Sequence, residues 1–148
     1  MREILFRGKR VDNGEWVYGD LAHSTRSANG RKPHISWIVD GYFSNGGWLT
    51  PLTRHAVIDK TVGEYTDFKD RNGNEIFEGD ILAIDNSCLV LAYKLVYVIW
   101  SQGMWAIYPT TYDLRVRPIA LDLYYYNNDS RIIGNIYDNP ELLKGEQT

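Results

Sequence analysis

Asp70, Asn72 and Asn74 stand two residues apart at the head of the run DRNGNEIFEGDIL, and four acids lie within that run. Spaced oxygens of this kind are the first ligands of an EF-hand calcium loop, which also requires glycine at position 6 and a bidentate acid at position 12. Counting from Asp70, position 6 is Glu75, position 12 is Ile81, and the glycine, Gly73, falls at position 4. The run reads better as a turn: Asp70 bonds its own backbone, Asn72-Gly73 reverse the chain, and Glu78-Gly79-Asp80 turn again before Ile81.

Glu75, Glu78 and Asp80 are a second candidate, because paired carboxylates serve as general acid and base or hold magnesium for phosphodiester cleavage. No lysine or histidine completes such an arrangement nearby, so a metal-dependent hydrolase is the least favoured reading. Whether these acids converge with distant residues is not visible in sequence. His23, His34 and His55 fall in unrelated segments with no compact zinc spacing, and Cys88 precedes an apolar run that suits a small buried side chain better than a nucleophile. There is no glycine-rich loop ending in Lys-Ser/Thr to cradle a nucleotide. No catalytic residue, metal ligand or cofactor is assigned, and the chain is expected not to be an enzyme.

Charge suggests a different chemistry. Residues 1–35 carry seven Lys or Arg against four acids, whereas the whole chain has a net charge of −3. Arg7, Lys9, Arg10, Arg31 and Lys32 form the candidate nucleic-acid surface, since basic contacts release counterions from phosphates. The competing reading is a solvated strand edge, where Lys and Arg discourage aggregation. Five Trp and eleven Tyr, with Tyr124-Tyr125-Tyr126 in succession, fit either base stacking or core and subunit contacts.

The elements that must position these groups read as β. Asn-Gly pairs at 13–14, 29–30, 45–46 and 72–73 suit tight hairpin turns, and the segments between them are rich in Val, Ile, Tyr and Trp. The spacing predicts a first hairpin from Ile4–Val11 into Glu15–Leu21, a strand at Ile35–Asp40, and an edge strand within Trp48–Ile58, where Pro51 lies. Asp59–Asp70 reads as a connector. Further strands follow at Ile81–Asp85, Leu89–Trp100, Met104–Tyr108, within Leu114–Tyr126, and at Arg131–Tyr137. Alternation sets Val96, Val98 and Trp100 on one face and Tyr97 and Ile99 on the other. Asn139-Pro140-Glu141 signals a helix that Gly145 limits to about two turns. No internal repeat is evident.

The fold class is therefore mainly β: an N-terminal β-hairpin and sheet region, residues 1–62, then a small SH3-like barrel-type unit, residues 63–148, with a short C-terminal helix. At 44% hydrophobic and 24% charged residues the composition is globular. No apolar run approaches the ~20 residues of a membrane span, the first residues lack the apolar core of a signal peptide, and one cysteine forms no internal disulfide. A cytoplasmic location is expected.

Three blocks, FRGKRVDNGEWVYGDL, TVGEYTDFKDRNGNEIFEGDIL and IIGNIYDNPELL, resemble in order the YopX-like proteins of phages and prophages. The resemblance implies a phage-encoded protein made inside a bacterial host cell, and a largely β fold. It supplies no catalytic residues. The expected function is that of an accessory protein acting by binding, through self-association as a homo-oligomer and a host or phage protein partner. The alternative is a nucleic-acid-binding module in phage DNA metabolism.

Overall fold

The computed structural model describes residues 2–24, 35–40, 53–84, 94–110 and 121–144. The chain divides into two units, Met1–Tyr65 and Thr66–Thr148.

In the first unit, β1 (Phe6–Lys9) and β2 (Trp16–Ser24) form an antiparallel hairpin with Lys9 opposite Trp16 and Arg7 opposite Tyr18. The Asn13-Gly14 turn joins them. Gly14 takes a φ of 72°, and the Asn13 side chain accepts from the Glu15 N–H at 3.0 Å. β2 then pairs with β3 (Ile35–Asp40), and β3 with β4 (Thr53–Val57). At Gly19, where β2 passes from β1 to β3, a Cβ would lie 2.2 Å from the Val39 carbonyl oxygen, so only glycine fits. β5 (Gly63–Lys69) starts in this unit, with Gly63 and Glu64 opposite Arg7 and Phe6. The strand order is β4-β3-β2-β1-β5.

The end of β4 also returns to β1. Arg10 bridges Val57, the Val11 N–H donates to the Ala56 carbonyl (2.9 Å), and the Ile58 N–H donates to the Lys9 carbonyl (2.8 Å). A single 3-10 turn, Asp59–Thr61, follows, and its Thr61 hydroxyl accepts from the Lys9 N–H and donates to the Ile58 carbonyl. These bonds satisfy backbone groups that a bare edge would expose. Ile38, Val57 and Tyr65 are buried within the unit.

In the second unit, the Thr66 hydroxyl donates to the Ile76 carbonyl, tying the rest of β5 to β6 (Glu75–Phe77). β7 (Asp80–Ile84), β8 (Leu95–Ser101), β9 (Met104–Pro109), β10 (Leu121–Asp122) and β11 (Ser130–Asn135) form an antiparallel sheet in the order β10-β9-β8-β7-β11. Gln102 and Gly103 both have positive φ in the β8–β9 turn, as a tight hairpin requires. The core gathers Ile76, Leu82, Ile84, Val96, Val98, Trp105, Ile107 and Leu123, each apolar side chain contributing about 1.5–3 kcal/mol on burial. The alternation expected in β8 holds: Val96 and Val98 are buried, and Trp100, at the hairpin end, is half exposed.

Both units thus use one plan. Four strands run in a meander, one or two 3-10 turns follow, and a fifth strand pairs with the first. This recurrence of order has no counterpart as a sequence repeat.

Several expectations need correction. Asp59–Asp70 is no plain connector, because Gly63–Lys69 is strand β5, with Gly63, Tyr65 and Thr66 buried. Tyr124-Tyr125-Tyr126 do not lie in a strand. The Asp122 carboxylate accepts from the Tyr124 N–H at 2.9 Å and caps a 3-10 turn, Leu123–Tyr125. The C-terminal helix is only a 3-10 turn, Pro140–Lys144, because the Asn139 side-chain oxygen that would cap a helix accepts from the Asn135 N–H instead (3.3 Å). In the second unit the strand pairings among the described residues establish an antiparallel sheet, not by themselves a closed SH3-like barrel.

Candidate functional site

The DRNGNEIFEGDIL run is built as a turn. Asp70 is 4% exposed, and its carboxylate accepts four hydrogen bonds: from the Asn72 and Asn74 N–H groups (2.9 Å each), the Asn74 side-chain amide (3.2 Å) and the Ile132 N–H of β11 (3.0 Å). Burial pushes this carboxyl up, but the donors from Ile132, Asn74 and Asn72 together hold it below the ordinary aspartate value. Its lone pairs are spent on N–H donors, which turns the spaced oxygens into hairpin geometry. Asp80, 2% exposed, accepts from the Phe77 N–H at 2.8 Å and closes the β6–β7 turn around Gly79, whose φ is 85°. Glu78 accepts weakly from the Trp100 N–H, and Glu75 is exposed. Among the described residues, no three His, Cys, Asp or Glu side chains gather as metal ligands would.

The basic residues separate. Arg10 is engaged by Asp12, with Nε to Oδ1 at 2.9 Å and a second bond from Nη2 to Oδ2. That pairing holds the Asp12 carboxyl low and raises the Arg10 guanidinium. Arg31 and Lys32 lie outside the described residues, as do His34 and Cys88. Arg7 and Lys9 meet over one indole: the Arg7 guanidinium carbon is 4.7 Å and the Lys9 ammonium 5.7 Å from the Trp16 ring centroid. Arg7 is 6% exposed beneath this stack.

A third cation joins them, one that sequence spacing did not single out. Arg54 of β4 lies 5.1 Å from the ring centroid of Trp37 in β3. The registers Arg7–Tyr18, Lys9–Trp16, Asp20–Val39, Ala22–Trp37 and Val39–Arg54 place these side chains on a single face of β1–β4. On it Trp16 and Trp37 are half-buried, Arg54 is exposed and Tyr18 is 46% exposed, while Ile38 and Val57 point to the opposite, buried face. Alternation in β2 and β3 was the only signal available. The pairing of Arg54 with Trp37 depends on a register that sequence does not print.

Beside this face a cleft of about 710 Å³ is lined by Glu3, Trp16, Tyr18, Asp20, Asp40 and His55 among others. A smaller one, about 290 Å³, shares His55 and adds Arg10, Asp12 and Arg54. His23 contacts the Ser36 hydroxyl through Nδ1 at 3.2 Å.

In the second unit, Trp100 of the β8–β9 hairpin and Tyr124 are exposed aromatics. Trp100, 49% exposed, meets buried Trp105 edge to face at 4.9 Å, and Tyr97 lies 6.0 Å from Tyr108. Tyr124 is 62% exposed and meets Phe68 edge-on. No helix of the described residues is long and apolar enough to cross a membrane.

The model of the YopX protein family matches residues 5–144. A crystal structure of protein EF1440 from Enterococcus faecalis is similar over 97% of this chain and 100% of its own, with a TM-score of 0.51 and 23% identity, a likeness of fold. No curated protein matches the chain significantly.

Proposed function

Since this chain belongs to the YopX protein family, we propose that it is a phage or prophage accessory protein that acts by binding and not by catalysis. It works in the bacterial cytoplasm as a homo-oligomer with a host or phage protein as partner. The observation that carries the self-association is Trp100. A half-exposed indole at the end of the β8–β9 hairpin, held edge-on against Trp105, is a rigid apolar anchor of the sort that interfaces enrich. The use of Asp70 and Asp80 as turn-building acceptors supports the non-catalytic reading, because these carboxylates serve the backbone.

The strand order of each unit, with 3-10 turns before the fifth strand, supports an SH3-like reading of both. Light scattering after size-exclusion chromatography tests the oligomer. The expected result is a mass of at least twice the 17.1 kDa of one chain, falling towards one chain in Trp100→Ala. A monomer that persists at the highest attainable concentration overturns it.

A further inference from the structure

We propose that the solvent-facing side of β1–β4 binds single-stranded DNA, with bases stacking on Tyr18 and on the Arg54–Trp37 pair and phosphates held by Lys9 and Arg54. This goes beyond the self-association reading and rests on a different unit of the chain. Three observations carry it.

The first is composition by register. The paired residues of this face include two cations within reach of solvent (Lys9, Arg54), the nearly buried Arg7 and three aromatic rings (Trp16, Tyr18, Trp37), against one carboxylate, Asp20. Single strands are held by this combination, since every base has a face to stack and every nucleotide a phosphate. The second is geometry. With its guanidinium carbon 5.1 Å from the Trp37 ring centroid, Arg54 brings a cation and an aromatic ring to one place, where stacking and phosphate contact can combine. Arg7, nearly buried, acts as a positioning residue that fixes the Trp16 ring.

The third is spacing. Trp16 and Ala22, which is paired with Trp37, are six residues apart along β2, about 20 Å at the usual rise per residue. That length suits roughly four nucleotides, the short end of known single-strand sites on small β barrels. The first unit as a whole holds nine Lys or Arg against seven acids, and the second seven against twelve, so phosphate is drawn to the first. Stacking on open rings needs unpaired bases, which a single strand offers and a duplex does not.

The test is fluorescence anisotropy of a labelled fifteen-nucleotide oligo(dT) with the full chain, at 50 mM and 200 mM salt. Binding is expected at the lower salt and weakens at the higher. Tyr18→Ala is expected to weaken it about fivefold or more, and Tyr18→Phe to restore it. Lys9→Gln and Arg54→Gln should each lower the slope of log affinity against log salt by about 0.7. Asp20→Asn should tighten binding by removing a repelling charge on the face itself. Circular dichroism melts confirm that each variant is folded.

No binding at 50 mM salt overturns the proposal, as does unchanged affinity in a folded Tyr18→Ala/Arg54→Gln double variant. Equal affinity for duplex DNA also overturns it by showing that stacking is absent, and an oligo(U) preference above tenfold reassigns the face to RNA. A monomer by light scattering leaves these outcomes untouched, so the two readings fail separately.

Discussion

Asp70 shows how a residue that looks chemical in sequence becomes architectural. Its four accepted hydrogen bonds come from its own turn and from β11, so one buried carboxylate fixes the hairpin and clips it to a strand 62 residues away. Asp70→Ala leaves several donors unsatisfied and is expected to cost the second unit about 3 kcal/mol in urea unfolding. Asp70→Asn should cost nearly as much, because its amide would face donors. Because the folded carboxyl titrates below its ordinary value, its stabilisation is complete above the unfolded value, about 3.9, and is lost as pH falls through the lower folded value. Urea midpoints measured from pH 6 down to pH 2 should fall over that acid range in the native chain and fall less in Asp70→Asn. Equal slopes would contradict the assignment. Three residues earlier, Asp67 sits in β5 at a φ of 67°. Asp67→Gly should therefore be neutral or slightly stabilising, and Asp67→Val destabilising by about 1–2 kcal/mol, in the same unfolding assay.

At the scale of elements, what was legible in the sequence was local. The Asn13-Gly14 and Asn72-Gly73 turns and the alternation through Val96 and Val98 follow from φ preferences and a two-residue period, which neighbours suffice to reveal. What escaped depends on distant partners. β5 was hidden because its buried Gly63 and Thr66 carry no apolar signature, and the return of β4 to β1 at Arg10–Val57 is a long-range bridge. The cation–indole face was half legible: Arg7 and Lys9 were visible as charge, but Arg54 reaches Trp37 only through the β3–β4 register. The C-terminal turn shows why a helix signal failed. Asn139 turns its oxygen back to the Asn135 N–H, and a Cβ at Gly134 would stand 2.3 Å from that oxygen. Gly134→Ala should thus cost about 2 kcal/mol, much of it recovered when Asn139→Ala is added. A double-mutant cycle by thermal melting reads this coupling, and additive losses would show that the two residues do not share the clash.

For the whole molecule, the recurrence of one strand order in both units matters more than either sheet alone. Each unit places its first strand centrally, between the second and fifth, and its fourth at the margin. In that plan backbone amides of the central strands have partners on both sides, whereas the fourth strand depends on secondary contacts. The first unit supplies these through Ala56, Val57 and Ile58 on Lys9–Val11; in the second unit the described part of β10, Leu121–Asp122, pairs with Ile107 and Ala106 of β9. Hydrogen exchange should therefore show two separate maxima of protection. One is expected around Ile38 in β3 with the facing residues of β2, and the other around Ile81–Ile84, Val96 and Val98, where side chains are almost fully buried. The margins should differ between units, with Ala56–Ile58 amides exchanging more slowly than those of Leu121 and Asp122. Adding oligo(dT) should slow exchange in β1–β4 and leave β7–β11 at their free rates, because the cation–aromatic face belongs to the first unit alone. One uniform rate across both units, or protection by oligo(dT) centred on β8–β9, would refute this division of roles.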